Sequence, residues 1–317
     1  MIDAIHQPRH GAAAPQLLIV GSGEWTQAAL AICPSELTAA VTESINDVDL
    51  SAVTILLGAP NVLRDFIPLC PKAQWVQSTW AGVDAIAHLA SEKLVITALK
   101  GVFGQAMSEY VIGWLLAIER QIINRATIRS WLDTTDGSVA GKTVGIMGTG
   151  SIGTAVAHAC NAMNMRCKGL NSDGRLEQGF EECFATADRL TFARGLDYLV
   201  SVLPNTPATE QLVDQALLSQ LAPSAIFINV GRGNVVNEEA LLISLASGQL
   251  RCAVLDVFNA EPLPFNHAFW RAKNLYITAH TAAPTPADAI LDVFAENLQR
   301  FLHNEPLRHT VVQHKGY

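Results

Sequence analysis

The segment VGIMGTGSIG, residues 144–153, carries three glycines directly after an apolar run. This Gly-x-Gly-x-x-Gly spacing is typical of a strand–turn–helix unit that binds the pyrophosphate of a dinucleotide. Gly148 allows the tight turn, Gly150 allows backbone N–H groups to approach the phosphates, and Gly153 allows the helix to pack against the strand. A helix beginning at Ser151 would direct its free N–H groups at the same anion. The predicted cofactor loop comprises Gly148, Thr149, Gly150, Ser151, Ile152 and Gly153.

The overall composition indicates a globular chain with an acidic balance. Of 317 residues, 50% are hydrophobic and 16% are charged, and the formal net charge is -8, which does not support nucleic-acid binding. Residues 1–16 lack the apolar core of a signal peptide, and we interpret them as a loose arm or a turn-rich lead-in. The most apolar helical run, residues 110–118, is too short to cross a bilayer of about 30 Å. We therefore expect a cytoplasmic protein with no membrane or nucleic-acid partner.

The cysteines form no recognisable metal or redox motif. None belongs to a Cys-x-x-Cys pair, and none lies beside a histidine at metal-ligand spacing, so we predict no bound metal. One interpretation is a redox thiol, and the favoured one is small buried side chains in a reducing compartment. The six are Cys33, Cys70, Cys160, Cys167, Cys183 and Cys252.

Apolar runs alternate with helical patterns along the chain, which favours parallel βαβ units. A first series of strands is predicted at residues 17–20, 53–58, 75–78 and 95–98. A second series is predicted at residues 144–147, 167–170, 198–203, 225–230, 252–257 and 276–279. Between the two series we predict one long helix over residues 105–132. Its first half is apolar on more than one face, which indicates an interdomain or subunit contact.

The end of the chain predicts the order of the domains. Thr285, Pro286 and Asp288 are typical of a helix start, with a hydroxyl at the N-cap, proline at N1 and an acid at N3. An apolar stripe follows at Ile290, Phe294, Leu298 and Phe301. Because the chain ends soon afterwards, this helix must pack on a domain that is already built. We infer that it returns to the first domain and that the cofactor domain is an insertion.

The residues after the second strand of this domain bear on the choice of dinucleotide. An NAD site usually places an acid at the end of that strand, whereas this chain has Asn171. Asn171 does not repel a 2′-phosphate, and Arg175 could pair with one, while Asp173 argues the other way. Arg175 could equally be a solvated surface charge. NADP(H) is favoured over NAD(H), with contacts predicted at Asn171, Ser172 and Arg175.

Three reactive side chains each follow a predicted strand. Arg232, Glu261 and His280 lie just after the strands at 225–230, 252–257 and 276–279. The carboxyl ends of parallel strands share one edge of the sheet, so we expect these side chains to converge. The arginine fork suits the carboxylate of a 2-keto acid, and a histidine oriented by a carboxylate can give a proton to the alkoxide that hydride transfer creates. Singly, each also has a structural interpretation: a capping contact, a loop charge or a structural histidine.

Longer motifs occur in a specific order along the chain: STWAGVD (78–84), GQAMSEYVIGWLLA (104–117), SVLPNTPAT (201–209), NVGRG (229–233), LDVFNAEPLP (255–264) and TAHTAA (278–283). With the glycine loop, they make the chain resemble the D-isomer-specific 2-hydroxyacid dehydrogenase family, and within it the glyoxylate/hydroxypyruvate reductase-like branch. The resemblance covers nearly the whole sequence. It implies an α/β fold with two Rossmann-like or flavodoxin-like domains on parallel sheets.

The resemblance also implies the domain plan and the activity. A cofactor domain, which we place at residues 99–285, would be inserted into a discontinuous substrate domain, which we place at residues 1–98 and 286–317. The implied enzyme is an NAD(P)-dependent D-2-hydroxyacid dehydrogenase that reduces small 2-keto acids. A homodimer built on the helix at 105–132 is implied as well.

Roles follow residue by residue from the same resemblance. Arg232 would bind substrate, Glu261 would support the histidine and His280 would be the acid/base. The substrate carboxylate would be held by the backbone around Ala81, Gly82 and Val83. The cofactor would be lined by Leu203, Pro204, Thr209, Val230, Gly231 and, near the nicotinamide, Asp256. Two tryptophans are candidates by their positions in the sequence: Trp80, within STWAGVD, as a wall of the substrate pocket, and Trp131, near the end of the predicted long helix, as a residue that reaches a partner's site. Ordinary core or interface packing is the alternative for both.

The sequence departs from the family pattern at three places. Ala279 stands where the family commonly has proline before the histidine. Asn164 stands where a glycine often ends the loop helix, and asparagine tolerates the left-handed conformation. The region of Asn171 matches neither the acidic nor the double-arginine pattern. Alternative functions are a dehydrogenase of another 2-hydroxy acid and a non-catalytic, dinucleotide-sensing binding protein, although the latter would not need the three reactive side chains together.

Overall fold

The alternation of strands and helices is present in the computed structural model, which describes residues 16–131, 133 and 136–312. The predicted arm at residues 1–16 lies outside the described residues except for Gln16. The chain divides into two compact units, Met1–Val102 with Thr285–Tyr317, and Phe103–Pro284. Among the described residues, no helix combines the length and apolar character that a bilayer crossing requires.

Twelve strands are present in the described part of the chain. They are β1 Leu17–Val20, β2 Ala39–Thr42, β3 Ile55–Gly58, β4 Trp75–Ser78, β5 Val95–Thr97, β6 Thr143–Met147, β7 Arg166–Asn171, β8 Glu182–Ala185, β9 Tyr198–Ser201, β10 Ile226–Asn229, β11 Cys252–Leu255 and β12 Leu275–Ile277. The α-helices of the same residues are α1 Glu24–Ala31, α2 Pro60–Phe66, α3 Gly104–Glu119, α4 Ile122–Thr127, α5 Ser151–Ala162, α6 Arg189–Ala193, α7 Gln215–Leu218, α8 Glu238–Ala246 and α9 Ala287–Leu302.

The first unit is built on a parallel five-stranded sheet with the order β2-β1-β3-β4-β5. Strands β1, β3 and β4 are buried along their whole length. A continuous apolar run such as LLIV in β1 is what a parallel strand covered on both faces requires. This is the strand order of flavodoxin-like folds, in which the order of the strands reverses between β1 and β3.

Helix α9 belongs to the first unit, which is therefore discontinuous in sequence. Phe294 and Phe301 of α9 stack on Trp75 of β4, with ring centroids 5.7 and 5.5 Å apart. Asn297 donates to the buried Oε1 of Gln77 at 3.0 Å. The predicted apolar stripe thus faces the first sheet. Ile290, Phe294 and Leu298 are buried, whereas Phe301 is half-buried.

The second unit is built on a parallel seven-stranded sheet with the order β12-β11-β10-β9-β6-β7-β8. The strand order reverses at β6, whose Met147 pairs with Leu170 of β7 on one side and Ser201 of β9 on the other. In such a sheet, ligands bind beyond the carboxyl ends of the strands at this reversal. The predicted fold class, an α/β chain with parallel sheets and a discontinuous first unit, is confirmed. The division after Val102 and Pro284 lies beside the predicted boundaries, and the roles given to the two domains stay predictions.

The prediction of one continuous helix over residues 105–132 is wrong, and Leu132 itself lies outside the described residues. Helix α3 ends at Glu119, and Gln121 adopts a left-handed conformation with φ 50° before α4 begins. Left-handed residues are usually glycine or asparagine, so a glutamine there carries no local signal of the break. The cause is tertiary: the buried carboxylate of Glu119 accepts hydrogen bonds from Arg251 and Tyr198 at 2.9 and 3.0 Å.

Two strands were not predicted, and one helix cap differs from the prediction. Strands β2 and β8 lie at sheet edges and are only partly buried, so their apolar patterns are weak. Helix α9 begins at Ala287, and Pro286, with φ -70° and ψ 134°, is the N-cap in place of Thr285. No side chain caps α9, since Pro286 offers no hydroxyl. Asn164 is left-handed as predicted, with φ 57°.

Candidate active site

The glycine loop at the end of β6 has the backbone that its sequence predicts. Gly148 has φ 98°, in the left-handed region, and its N–H donates to the carbonyl of Leu170 at 2.8 Å. A Cβ on Gly153 would overlap the carbonyl oxygen of Gly148. The first glycine is therefore required by the turn, and the third by the close approach of α5 to the loop.

Gly150 faces open space at the N-terminus of α5. A Cβ added there would have no atom within 4 Å, and no side chain caps this helix. The N–H groups of a first helical turn have no partners within the helix, and together with the helix dipole they favour an anion. The loop therefore leaves open space next to the uncapped N-terminus of α5, where an anion would be favoured.

Asn171, at the carboxyl end of β7, organises the backbone beside this open space. Its Nδ2 donates to Oγ1 of Thr149 at 3.0 Å and to the carbonyl of Arg175 at 2.8 Å, and its Oδ1 accepts from Gly174 N at 2.6 Å. These contacts join the glycine loop to the turn at residues 172–175. The amide group of Asn171 is thus engaged by the protein itself.

Arg175 is held at the surface by a neighbouring carboxylate. Its Nε and Nη2 donate to Oε1 of Glu177 at 2.9 and 2.6 Å, and 73% of the side chain is exposed. The hydrogen bond and charge of Glu177 raise the pKa of Arg175, followed by the charge of Asp173. A cofactor phosphate on Arg175 would therefore compete with Glu177.

His280 and Glu261, which follow β12 and β11, form a direct pair. His280 Nδ1 lies 2.8 Å from Glu261 Oε2, and Oε1 of the same carboxylate accepts from Phe258 N at 2.9 Å. The histidine side chain is 49% exposed and that of the glutamate 36%. The structure therefore brings together two of the three predicted reactive side chains, with the ring accessible to solvent.

The backbone of His280 is held in an unusual conformation by Asp256. His280 has φ 54°, and its N–H donates to the carbonyl of Asp256 at 2.7 Å. The buried Asp256 carboxylate accepts from Thr278 Oγ1 at 2.5 Å, Thr281 N at 2.8 Å and Ala282 N at 3.0 Å. A non-glycine residue in this region is strained by about 1–3 kcal/mol, so the surrounding hydrogen bonds are what maintain it.

Arg232 follows β10, on a turn that packs against the loop of Glu261. The carbonyl of Arg232 accepts from Asn229 Nδ2 at 2.9 Å, and its Nη1 donates to the carbonyl of Gly231 at 2.8 Å. A Cβ on the next residue, Gly233, would overlap the backbone of Phe258, three residues before Glu261. Backbone packing therefore brings the turn of Arg232 together with the loop that carries Glu261.

The other predicted cofactor residues lie along the same edge of the second sheet. A Cβ on Gly231 would stand 2.6 Å from Leu203 N, and Val230 N donates to the carbonyl of Ser201 at 3.0 Å. Thr209 Oγ1 donates to the carbonyl of Pro204 at 2.7 Å. The turns after β9 and β10 are thus packed together.

The predicted substrate loop lies in the first unit, after the carboxyl end of β4. Ser78 Oγ accepts from Trp80 N and donates to Trp80 O, each at 2.9 Å, and Leu99 N donates to the same carbonyl at 3.0 Å. Trp80 is 39% exposed and Trp131, in the second unit, 94%. Core packing therefore does not explain Trp131.

Two residues beside His280 are not among the site residues that the sequence predicts. Thr278 belongs to the TAHTAA motif, in which only the histidine was predicted to be reactive. Tyr110 lies in the GQAMSEY motif. The Tyr110 hydroxyl lies 2.6 Å from Thr278 Oγ1 although the two residues are 168 positions apart. No sequence pattern signals such a distant pairing.

Fold and site together define a chain with a Rossmann-type unit, a dinucleotide loop and an accessible His–Glu pair at one sheet edge. The family model for the NAD binding domain of D-isomer specific 2-hydroxyacid dehydrogenases matches residues 114–282. A glyoxylate/hydroxypyruvate reductase A from Serratia proteamaculans (strain 568) is 34% identical over 197 residues, 61% of this chain and 63% of that relative.

Solved structures agree with these matches. A D-isomer specific 2-hydroxyacid dehydrogenase family protein from Aeromonas salmonicida is 32% identical with a TM-score of 0.87, covering 95% of this chain and 100% of that chain. An NADPH-dependent glyoxylate/hydroxypyruvate reductase from Sinorhizobium meliloti, in complex with NADP and sulfate, is 30% identical with a TM-score of 0.84, covering 95% of this chain and 99% of that chain. This chain belongs to the D-isomer specific 2-hydroxyacid dehydrogenase family.

Proposed function

We propose that this protein uses NADPH or NADH to reduce small 2-keto acids, of the glyoxylate and hydroxypyruvate kind, to D-2-hydroxy acids. The observation that carries the proposal is the 2.8 Å pair of His280 and Glu261, in the unit whose glycine loop can cradle a dinucleotide. The similarity to glyoxylate/hydroxypyruvate reductases supports the same substrate class.

The residues at 148–153 and the N-terminus of α5 would hold the cofactor's pyrophosphate, because open space lies beside Gly150. When bound, the nicotinamide supplies the hydride that reduces the substrate's carbonyl carbon. Leu203, Pro204, Thr209, Val230 and Gly231 would line the cofactor, and Asp256 would lie near the nicotinamide ring. We favour NADP(H), because the amide of Asn171 does not repel a 2′-phosphate as a carboxylate would.

His280 is the proposed proton donor to the substrate oxygen. With Nδ1 engaged by Glu261, the other ring nitrogen, Nε2, is the one able to transfer a proton. Glu261 orients the ring, and its own position is held by Phe258 N. Arg232 would hold the substrate through its planar, permanently charged guanidinium. The role of the backbone at Ala81, Gly82 and Val83 in binding the carboxylate stays a prediction.

We also propose a cytoplasmic homodimer. All six cysteines are free thiols, which suits a reducing compartment. Helix α3 carries three large apolar side chains, Ile112, Trp114 and Leu116, that are only half-buried in the single chain. Sedimentation of the purified protein tests the dimer: a monomer at micromolar concentration would contradict it.

The activity is tested by following nicotinamide oxidation by the purified protein. NADPH and NADH are compared in parallel against glyoxylate, hydroxypyruvate, pyruvate and phenylpyruvate. We expect turnover with glyoxylate or hydroxypyruvate, faster with NADPH. Faster turnover with NADH would overturn the cofactor preference, and turnover only with the larger acids would indicate a dehydrogenase of another 2-hydroxy acid. Cofactor binding without any turnover would favour a dinucleotide-sensing protein.

A further inference from the structure

A chain of hydrogen bonds with a defined direction leads from helix α3 to the loop of His280. The Tyr110 hydroxyl lies 2.6 Å from Thr278 Oγ1, which lies 2.5 Å from Asp256 Oδ1. A threonine hydroxyl has one proton, and the oxygens of a carboxylate only accept hydrogen bonds. Thr278 therefore donates to Asp256, and Tyr110 donates to Thr278. Burial raises the pKa of Tyr110 above its ordinary value; the hydrogen bond with Thr278 lowers this pKa and the charge of Asp256 raises it, and with the net shift upward the phenol keeps the required proton.

Asp256 connects this series of hydrogen bonds to His280. Its carboxylate accepts from the N–H groups of Thr281 and Ala282, which follow His280, and from the hydroxyl of Thr278, which precedes it. Its carbonyl accepts from His280 N itself. The hydrogen bonds therefore lie on both sides of a residue whose φ of 54° must be held from outside.

The residue before His280 does not supply this restraint. Ala279 is exposed, and alanine leaves its own φ free, whereas proline would fix it. The phenol of Tyr110 is itself held in place, since its ring packs edge-on against Trp114 at 6.3 Å, and Trp114 packs against Tyr276 at 5.1 Å. An aromatic cluster thus packs around the Tyr110 ring, whose hydroxyl contacts Thr278.

We propose that Tyr110 is a positioning residue for His280, acting through Thr278 and Asp256. Donation by the phenol polarises the Thr278 hydroxyl and strengthens its bond to Asp256, because hydrogen bonds in a chain reinforce one another. Asp256 in turn holds the backbone of His280 so that its ring meets Glu261. The effect on turnover rests on the proposed function, in which His280 is the proton donor.

The test compares four variants by two measurements. Tyr110→Phe and Thr278→Val interrupt the chain, Thr278→Ser keeps the hydroxyl, and Tyr276→Phe removes a phenol from the same aromatic cluster but outside the chain. The ring signals of His280 are followed by NMR in cofactor-free protein with labelled histidine, assigned by their disappearance in His280→Gln. Steady-state kcat and KM for glyoxylate and the Kd of NADPH are measured on the same preparations.

We expect Tyr110→Phe and Thr278→Val to move the His280 ring signals and to lower kcat about tenfold, because small misplacements of a reacting group are costly. The Kd of NADPH should stay unchanged, and Thr278→Ser and Tyr276→Phe should behave as the parent protein does. Unmoved ring signals in Tyr110→Phe would overturn the proposal, as would an unchanged kcat. If Thr278→Val fails to fold, Tyr110→Phe decides alone. If the parent protein has no turnover, the proposed function fails, and the ring signals still decide the role of Tyr110.

Discussion

Gly153 lies so close to Gly148 that a Cβ on Gly153 would overlap the carbonyl oxygen of Gly148. Gly150, two residues after Gly148, faces open space. The close approach of α5 therefore requires glycine at position 153, whereas the free space at position 150 is where we propose that the dinucleotide binds.

This difference predicts opposite behaviour for two alanine variants. Gly153→Ala should destabilise the protein by at least about 1–3 kcal/mol, because rigid backbone must move to admit the methyl group. Gly150 has φ -73° and free space where a Cβ would stand, so the fold should tolerate Gly150→Ala. The affinity of this variant for the dinucleotide should fall, because the methyl group would occupy the space proposed for the phosphates. Denaturant unfolding and NADPH titration of both variants check this. Equal stability of Gly153→Ala and the parent protein would contradict the packing argument.

The pair of Arg175 and Glu177 predicts how the cofactor preference can be changed. Arg175→Ala should raise the KM for NADPH and leave that for NADH unchanged, since only NADPH carries the 2′-phosphate. Glu177→Gln should shift the preference further toward NADPH, because it removes the carboxylate that competes for Arg175. The ratio of kcat/KM for the two cofactors is the measurement. An unchanged ratio in both variants would show that Arg175 is a surface charge that does not bind the 2′-phosphate.

Replacing Arg251 should lower the free energy of unfolding, although Arg251 has no role in the proposed chemistry. Its Nη1 bonds the buried carboxylate of Glu119 at 2.9 Å, where α3 ends, and Glu119 also accepts from Tyr198. Arg251→Met leaves that carboxylate without its cation and should cost about 3 kcal/mol of unfolding free energy. The double variant with Glu119→Gln should recover part of this loss. Urea unfolding decides, and additive losses in the double variant would show that the two side chains do not interact.

Much of the fold could be predicted because buried parallel strands have a strong pattern. LLIV at residues 17–20 and WVQS at residues 75–78 form strands with the predicted bounds, since both are fully buried. The edge strands β2 and β8 and the helix break at Gln121 were missed. The two strands are only partly buried, so their apolar pattern is weak. The helix break accompanies contacts of Glu119 with residues distant in sequence, which a local pattern cannot reveal.

The same limit applies to the candidate site. The parallel sheet predicts that residues after neighbouring strands meet, and His280 and Glu261 do form a pair. The restraint on His280 depends on its φ and on a hydroxyl from α3, and neither is visible in local sequence. Asn171 stays a predicted cofactor residue, and the hydrogen bonds of its amide to the protein's own loop could not be predicted from the sequence.

We propose that His280 donates the proton in NAD(P)H-dependent reduction of a 2-keto acid. The most direct test compares His280→Gln with the parent protein in NADPH oxidation by glyoxylate and hydroxypyruvate, with the Kd of NADPH measured alongside. We predict that kcat falls by about 10²- to 10⁴-fold, the contribution of a positioned acid, while the Kd stays within a factor of about two. Turnover by His280→Gln equal to that of the parent protein would contradict the claim.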